Sequence, residues 1–209
     1  MNKTELLVVV VFFVPVFAFL LHWKQPVNSA RWLPGFINSK KVATALKLYA
    51  DDHDGVYPQG KTSSNEALAQ LFPEYIDEEK IFHIPKSLFC RPDPPDEEIG
   101  QNEGGSGSAL EAGENHFAYV SGYKNTDRST YPLLADGFTA EGNTYDEQHI
   151  WWKVDKAVVV YLDGSVKPEI IKKTGERGEV RGKKSKQNLF KAGTLGPGVI
   201  LNPLRKNAL

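Results

Sequence analysis

The chain has 209 residues, of which 41% are hydrophobic and 24% are charged, and its formal net charge is −1. These values are typical of one globular domain with attachments, and the balanced charge gives no reason to expect a nucleic-acid partner. The single cysteine, Cys90, excludes an intramolecular disulfide and a thiolate metal cluster.

The first predicted element is an apolar segment near the N-terminus. Residues 6–21 carry no charge, and a bilayer core needs roughly 20 apolar residues, or about 17 at the short end. Trp23 at the membrane interface brings the segment to that length. Residues 1–23 are therefore interpreted as a membrane-anchor helix, with a removable export signal as the main alternative. The side chains expected to pack in this helix are Leu6, Leu7, Val8, Phe12, Phe13, Pro15, Phe17, Leu20 and Leu21.

A proline-containing linker, residues 24–35, leads to the first predicted helix of the body. Residues 37–55 carry apolar side chains at helical spacing. Asn38 or Ser39 is placed to cap the start of this helix, and Gly55 is placed to end it.

A second helix is predicted over residues 63–76. Ser63 and Glu66 have the spacing of a capping box, and Leu68 and Leu71 would face the core. The following segment, residues 91–115, is rich in proline, glycine, serine and acidic residues, which predicts a surface loop.

Strand signals dominate the rest of the body. Residues 116–123 and 131–138 are aromatic or β-branched, and residues 156–170 read as a hairpin. Asp163 and Gly164 fit the two central positions of a type I′ turn, a structural role. Helices followed by strands predict an α+β domain over residues 36–170, with one or two helices packed on an antiparallel sheet.

Residues 171–209 are predicted to form a basic tail that is largely disordered, with an extended strand docking somewhere in residues 192–204. From Lys172 onward there are ten basic and two acidic residues. Such a tail suggests either an anionic surface as partner or a solvated end.

An acidic cluster, DDHDG at residues 51–55, is the one candidate metal site. Asp51, Asp52 and Asp54 offer the oxygen ligands that Ca²⁺ prefers, although the spacing is too short for an EF-hand loop. The alternative is a polar helix end running into a turn.

Local catalytic motifs are missing from the sequence. The histidines His83, His116 and His149 stand apart, each beside an aromatic or aliphatic residue, which favours packing over ligation. Asp136 precedes a glycine, as turn residues often do. No nucleophile, base and orienting group stand together, so neither an enzyme nor a bound cofactor is expected.

Several stretches together resemble a known family. TELLVVVVFF, residues 4–13, resembles the mature start of type IV pilin-like proteins and type II secretion pseudopilins. ALKLYADDHDGVYP, residues 45–58, EEKIFHIPKSLFCRPD, residues 78–93, and KVDKAVVVYLDGSVK, residues 153–167, resemble the prepilin-type proteins of Planctomycetes and Verrucomicrobia. The last stretch corresponds to their C-terminal His-x9-Asp-Gly hairpin.

The resemblance implies a non-enzymatic, single-pass inner-membrane protein that acts in assembly of a secretion or pilus-type apparatus. It implies that the C-terminal domain stands in the periplasm or outside the cell, whereas the Lys and Arg residues flanking the apolar segment favour the cytoplasm. It places Glu5 opposite the free amine of Met1 in a neighbouring subunit, so the implied partners are the membrane, other pilin-like subunits and secretion proteins.

Two other functions stay open at this stage. One is an anchored binding module that never polymerises and holds a partner outside the inner membrane. The other is a metal-dependent periplasmic hydrolase that uses the acidic cluster.

Overall fold

A computed structural model describes residues 32–95, 109–182 and 186–205. This part of the chain forms two α-helices and six strands, which confirms the α+β class. The anchor helix proposed for residues 1–23 lies outside the described residues. None of the helices within them is long and apolar enough to cross a membrane.

Helix α1, Leu33–Asp52, begins earlier than predicted. Pro34 stands in its first turn, where a fixed φ suits a helix and a missing N–H costs nothing. The predicted cap at Asn38 or Ser39 is therefore wrong, because both residues are inside the helix, and the Ser39 hydroxyl donates to the Gly35 carbonyl at 2.7 Å. The first residues of the predicted linker 24–35 lie outside the described part of the chain.

The second helix, α2, is shorter than predicted and spans Ser64–Leu68 before a 3-10 turn over Ala69–Leu71. The Ser63 side chain accepts from the Glu66 backbone N–H, so the predicted cap is confirmed. Leu68 and Leu71 are fully buried, as predicted.

One antiparallel sheet of order β5-β4-β3-β2-β1-β6 forms the centre of the domain. Its strands are β1 (Phe117–Ser121), β2 (Pro132–Asp136), β3 (Lys156–Tyr161), β4 (Val166–Thr174), β5 (Arg177–Val180) and β6 (Val199–Leu201). The predicted strands at residues 116–123 and 131–138 are thereby confirmed, and so is the hairpin of β3 and β4.

Both faces of this sheet are buried near its middle. On one face, Ala118, Ala135, Val159 and Ile171 form a core cluster with Phe190 and other residues. On the other face, Tyr119, Leu134 and Val160 stand in register and are also buried. Strands covered on both sides carry continuous apolar runs, as β3 does with four consecutive buried residues, Ala157, Val158, Val159 and Val160.

The β3–β4 connection is a three-residue loop and not the predicted type I′ turn. Tyr161 N–H donates to the Ser165 carbonyl, Gly164 N–H donates to the Tyr161 carbonyl, and within Leu162–Gly164 only Gly164 has a positive φ, of 77°. This is the pattern of a type I turn followed by a left-handed glycine, the next most common hairpin solution.

The prediction of a disordered tail after residue 170 is wrong for most of that segment. Strand β4 continues to Thr174, β5 pairs with it, and β6 pairs with β1 at the opposite edge of the sheet. Phe190 and Leu195 are buried. The compact unit accordingly starts at Pro34 and continues past residue 170, and the docking strand expected in residues 192–204 is β6.

Candidate functional site

The last residue of β2, Asp136, is the centre of a buried polar cluster. Its carboxylate is fully buried and accepts the Val158 backbone N–H at 2.8 Å. His116 Nε2 lies 3.1 Å from Oδ1, and His149 Nε2 lies 3.4 Å from Oδ2. Burial acts to raise the pKa of Asp136, but the hydrogen bond from His116 and the proximity of His149 outweigh it and hold the pKa below its usual value.

A chain of hydrogen bonds leads from Asp136 to the turn at Ser87. The Ser87 hydroxyl lies 2.6 Å from His116 Nδ1 and accepts the Phe89 backbone N–H. If His116 Nε2–H donates to Asp136, its Nδ1 is the acceptor for the Ser87 hydroxyl, so every group in the chain has a partner. The turn is built by Ser87 N–H donating to the Ile84 carbonyl, with Lys86 in a left-handed conformation.

The third member, His149, is held differently. Its imidazole is buried, and neither ring nitrogen makes a hydrogen bond of good geometry within the described residues. Its contact with Asp136 at 3.4 Å is therefore mainly electrostatic. Burial lowers the pKa of His149, and the nearby Asp136 carboxylate offsets this only in part.

Trp151 connects the cluster to helix α1. Its ring stands edge-on to His116 and His149, with ring centroids 5.4 and 5.7 Å away. On the other side it packs against Gly35, where an added Cβ would lie 2.8 Å from Trp151 Cζ2. Only a glycine fits this contact, so the start of α1 rests on the tryptophan that covers both histidines.

Chemically, Ser87, His116 and Asp136 have the order of a hydrolase triad. The serine is nevertheless only 6% exposed, and the imidazole and carboxylate are more deeply buried still. A nucleophile must reach its substrate, so the arrangement fits a structural network better than a catalytic one. A fully satisfied buried network rigidifies a core and fixes its packing.

The acidic cluster at residues 51–54 serves as a helix end. Asp54 has a positive φ of 51°, and Gly55 N–H donates to the Ala50 carbonyl at 2.8 Å, which closes the last turn of α1. His53 stacks on Tyr49, and Asp52 accepts the hydroxyl of Tyr75. Within the described residues no three His, Cys, Asp or Glu side chains are placed to hold a metal.

Three residues singled out in the sequence line one open groove of about 810 Å³. Asp51 of α1 and Asp163 of the β3–β4 loop stand at this groove, together with Lys40 and Lys47. Gly164 lines it too, so the predicted structural turn also shapes the surface beside α1.

The sequence did not reveal the buried cluster. His116, Asp136 and His149 are far apart along the chain, and the Asp-Gly pair at residues 136–137 looked like a turn. The one available signal was a carboxylate inside the apolar stretch YPLLADGF. Met1, Glu5 and the membrane-helix residues lie outside the described residues. No family model, curated protein or solved structure matches this chain.

Proposed function

We propose that this chain is a non-enzymatic, membrane-anchored assembly subunit of the pilin-like or pseudopilin-like kind. Residues 6–21 hold it in the inner membrane, and the α+β domain stands in the periplasm or outside the cell. Assembly proceeds by lateral packing of N-terminal helices, and the α+β domain forms the outer surface of the assembly.

The observation that carries this proposal is a pair of exposed apolar side chains on one face of α1. Ile37 and Leu48 are 48% and 51% exposed, their positions differ by eleven, and the exposed Lys41 and Thr44 lie between them. Eleven residues are close to three helical turns, so both side chains lie on one face of the helix. Exposed apolar side chains that share a helix face can pack against a neighbouring helix, which supports a contact between subunits here.

The chain order supports the same function. In the sequence, residues 22–32 connect the apolar segment to α1, the helix that carries the exposed Ile37 and Leu48. The opposite face of α1 is buried through Val42, Leu46 and Ala50. One face is thus committed to the domain, while the other is left for a neighbouring subunit.

Glu5 supplies the registration of the subunits in this proposal. A charged side chain within the apolar core costs about 2.5–3.5 kcal/mol on insertion scales, so a carboxylate at its edge calls for a partner. The amine of Met1 in a neighbouring subunit is that partner. Their attraction grows as water is removed, so the pair forms when helices bundle and sets their axial offset.

Crosslinking in membranes tests the proposal. The wild-type chain should give a ladder of oligomers, whereas Glu5→Ala and Glu5→Gln should insert and fold but lose the ladder. Ile37→Asp should also lose it, while Lys47→Asp, an exposed position about 100° around the helix from Leu48, should keep it. Identical ladders from all variants, or no ladder from the wild type, contradict assembly through these residues.

A non-polymerising anchored binding module is the second candidate, and the groove beside α1 favours it. The charged rim formed by Lys40, Lys47, Asp51 and Asp163 would suit a polar partner. An inserted wild-type chain that gives no ladder supports this candidate. The metal-dependent hydrolase has its own test. A stoichiometric metal ion in the purified protein would support that function.

A further inference from the structure

We propose that the β4–β5 hairpin docks a basic sheet face onto the anionic headgroups of the membrane that holds the N-terminal segment. The basic face consists of Lys156, Ile170, Lys172, Thr174 and Arg177. This inference rests on the anchoring in the proposed function and adds a second, electrostatic contact between the domain and the lipid.

Strand register places these side chains on one side of the sheet. Ile170 stands opposite Lys156 on β3, and Thr174 stands opposite Arg177 on β5. Directly paired residues share a face, and so do residues two apart on a strand, which adds Lys172. The buried pair Ile171 and Val180 points to the other side, into the core cluster.

The charge of this face is positive and largely uncompensated. Among the described residues, no carboxylate lies within ion-pair distance of Lys156, Lys172 or Arg177. The one acidic residue in register, Glu179 opposite Lys172, is held by Arg181 at 2.7 Å. Clustered lysine and arginine side chains are attracted to anionic lipid headgroups.

An apolar side chain among the charges favours lipid over water. Ile170 is 50% exposed and stands between Lys156 and Lys172 on the face. A membrane-interface surface inserts apolar side chains between headgroups while its basic neighbours contact phosphates, and Ile170 among basic residues fits that arrangement.

The hairpin lies at the end of the domain where α1 begins. Lys173 Nζ donates to the Trp152 carbonyl at 2.8 Å and stands over the Trp152 ring. The adjacent Trp151 packs on Gly35, in the first turn of α1. Eleven residues, 22–32, separate that helix from the apolar segment and span at most about 40 Å, so the domain is tethered within reach of the bilayer.

Two threonines at opposite ends of the domain provide a matched test. Thr174 and Thr126 are both exposed. Thr126 follows Asn125, whose N–H donates to the Gly55 carbonyl just beyond the end of α1, a helix about 30 Å long. Thr174→Cys and Thr126→Cys, each in a Cys90→Ala background, would carry an environment-sensitive dye on the full chain. Each would be placed in nanodiscs of phosphatidylcholine alone or mixed with phosphatidylglycerol.

We expect dye emission at Thr174→Cys to rise at least about twofold in the anionic discs, with no change at Thr126→Cys. Lys172→Glu with Arg177→Glu should abolish the rise, and so should 0.5 M NaCl in the chain with its basic face intact, because salt screens exposed charges. Equal emission at Thr174→Cys in both lipids, with the chain incorporated, overturns the docking alone. Failure to incorporate even into neutral discs overturns the anchoring, and the docking with it.

Discussion

His149 Nε2 lies 3.4 Å from Asp136 Oδ2, and both side chains are buried in the core beside Trp151. Burial lowers the pKa of His149 and so favours its neutral form; burial acts to raise the pKa of Asp136, but the adjacent histidines outweigh it and favour the carboxylate. Trp151 also packs against Gly35 in the first turn of α1. We therefore expect the protonation state of His149 and Asp136 to affect how α1 packs on the domain.

Stability should fall as the pH drops below about 6.5. The pKa of His149 is lowered in the folded chain, so the unfolded chain takes up a proton in this range before the folded chain does. The unfolded state is then favoured, by at most about 1.4 kcal/mol per pH unit for one histidine. Asp136, whose pKa is also lowered, adds a second loss at lower pH, below its ordinary value of 3.8. Urea unfolding between pH 7.5 and 5 measures the first loss.

His149→Gln is the control for that measurement. It removes the titrating group, so the difference in unfolding free energy between wild type and variant should shrink or change sign as the pH falls. A constant difference from pH 7.5 to 5 would show that His149 does not titrate in this window.

Asp136→Asn should destabilise the domain by about 3–5 kcal/mol, because it removes the charge that two buried histidines and the Val158 N–H face. Asp163→Asn is the matched control, since it also precedes a glycine but lies in an exposed loop. It should cost less than about 1 kcal/mol. Similar costs for the two variants in urea unfolding would mean that the buried cluster contributes little.

Gly35→Ala should destabilise the domain by about 1–3 kcal/mol, although alanine in a helix is ordinarily favoured over glycine by roughly 0.5–1 kcal/mol. The added methyl group would overlap the Trp151 ring. Thr44→Ala, on the exposed side of α1, should be neutral or slightly stabilising. A stabilised Gly35→Ala variant in thermal unfolding would refute the close contact.

Local pattern was enough to predict the β3–β4 hairpin, the Ser63 cap and the burial of Leu68 and Leu71. Each of these depends on neighbours within a few positions. The buried cluster depends instead on sheet register. Phe117, the first residue of β1, pairs with Asp136 at the end of β2, which brings His116, the residue before β1, into contact with Asp136. The carboxylate inside YPLLADGF is a local signal, but it does not tell which distant residues the register brings to it, and an Asp-Gly pair also predicts a turn.

Charge misled the prediction for the C-terminal segment. Its lysines and arginines occupy exposed positions of β4 and β5, while the intervening Ile171 and Val180 are buried. The ten basic residues from Lys172 onward led to a prediction of disorder. The few apolar residues in the segment are nevertheless placed so that they are buried against the core. Composition therefore predicted disorder in a segment where two buried apolar side chains, one on each strand, stand in register.

Phe190 should contribute strongly to the stability of the fold, whereas a residue in a disordered tail would contribute nothing. Its ring is buried and packs edge-on to Phe138, with centroids 4.9 Å apart, in the cluster that covers one face of the sheet. Phe190→Ala should cost about 3–5 kcal/mol, from lost burial and from the cavity left behind. Leu204→Ala, at an exposed apolar residue of the same segment, should cost less than about 0.5 kcal/mol. Equilibrium unfolding in urea measures both costs. Equally small costs for the two variants would show that the C-terminal segment is only loosely attached to the domain.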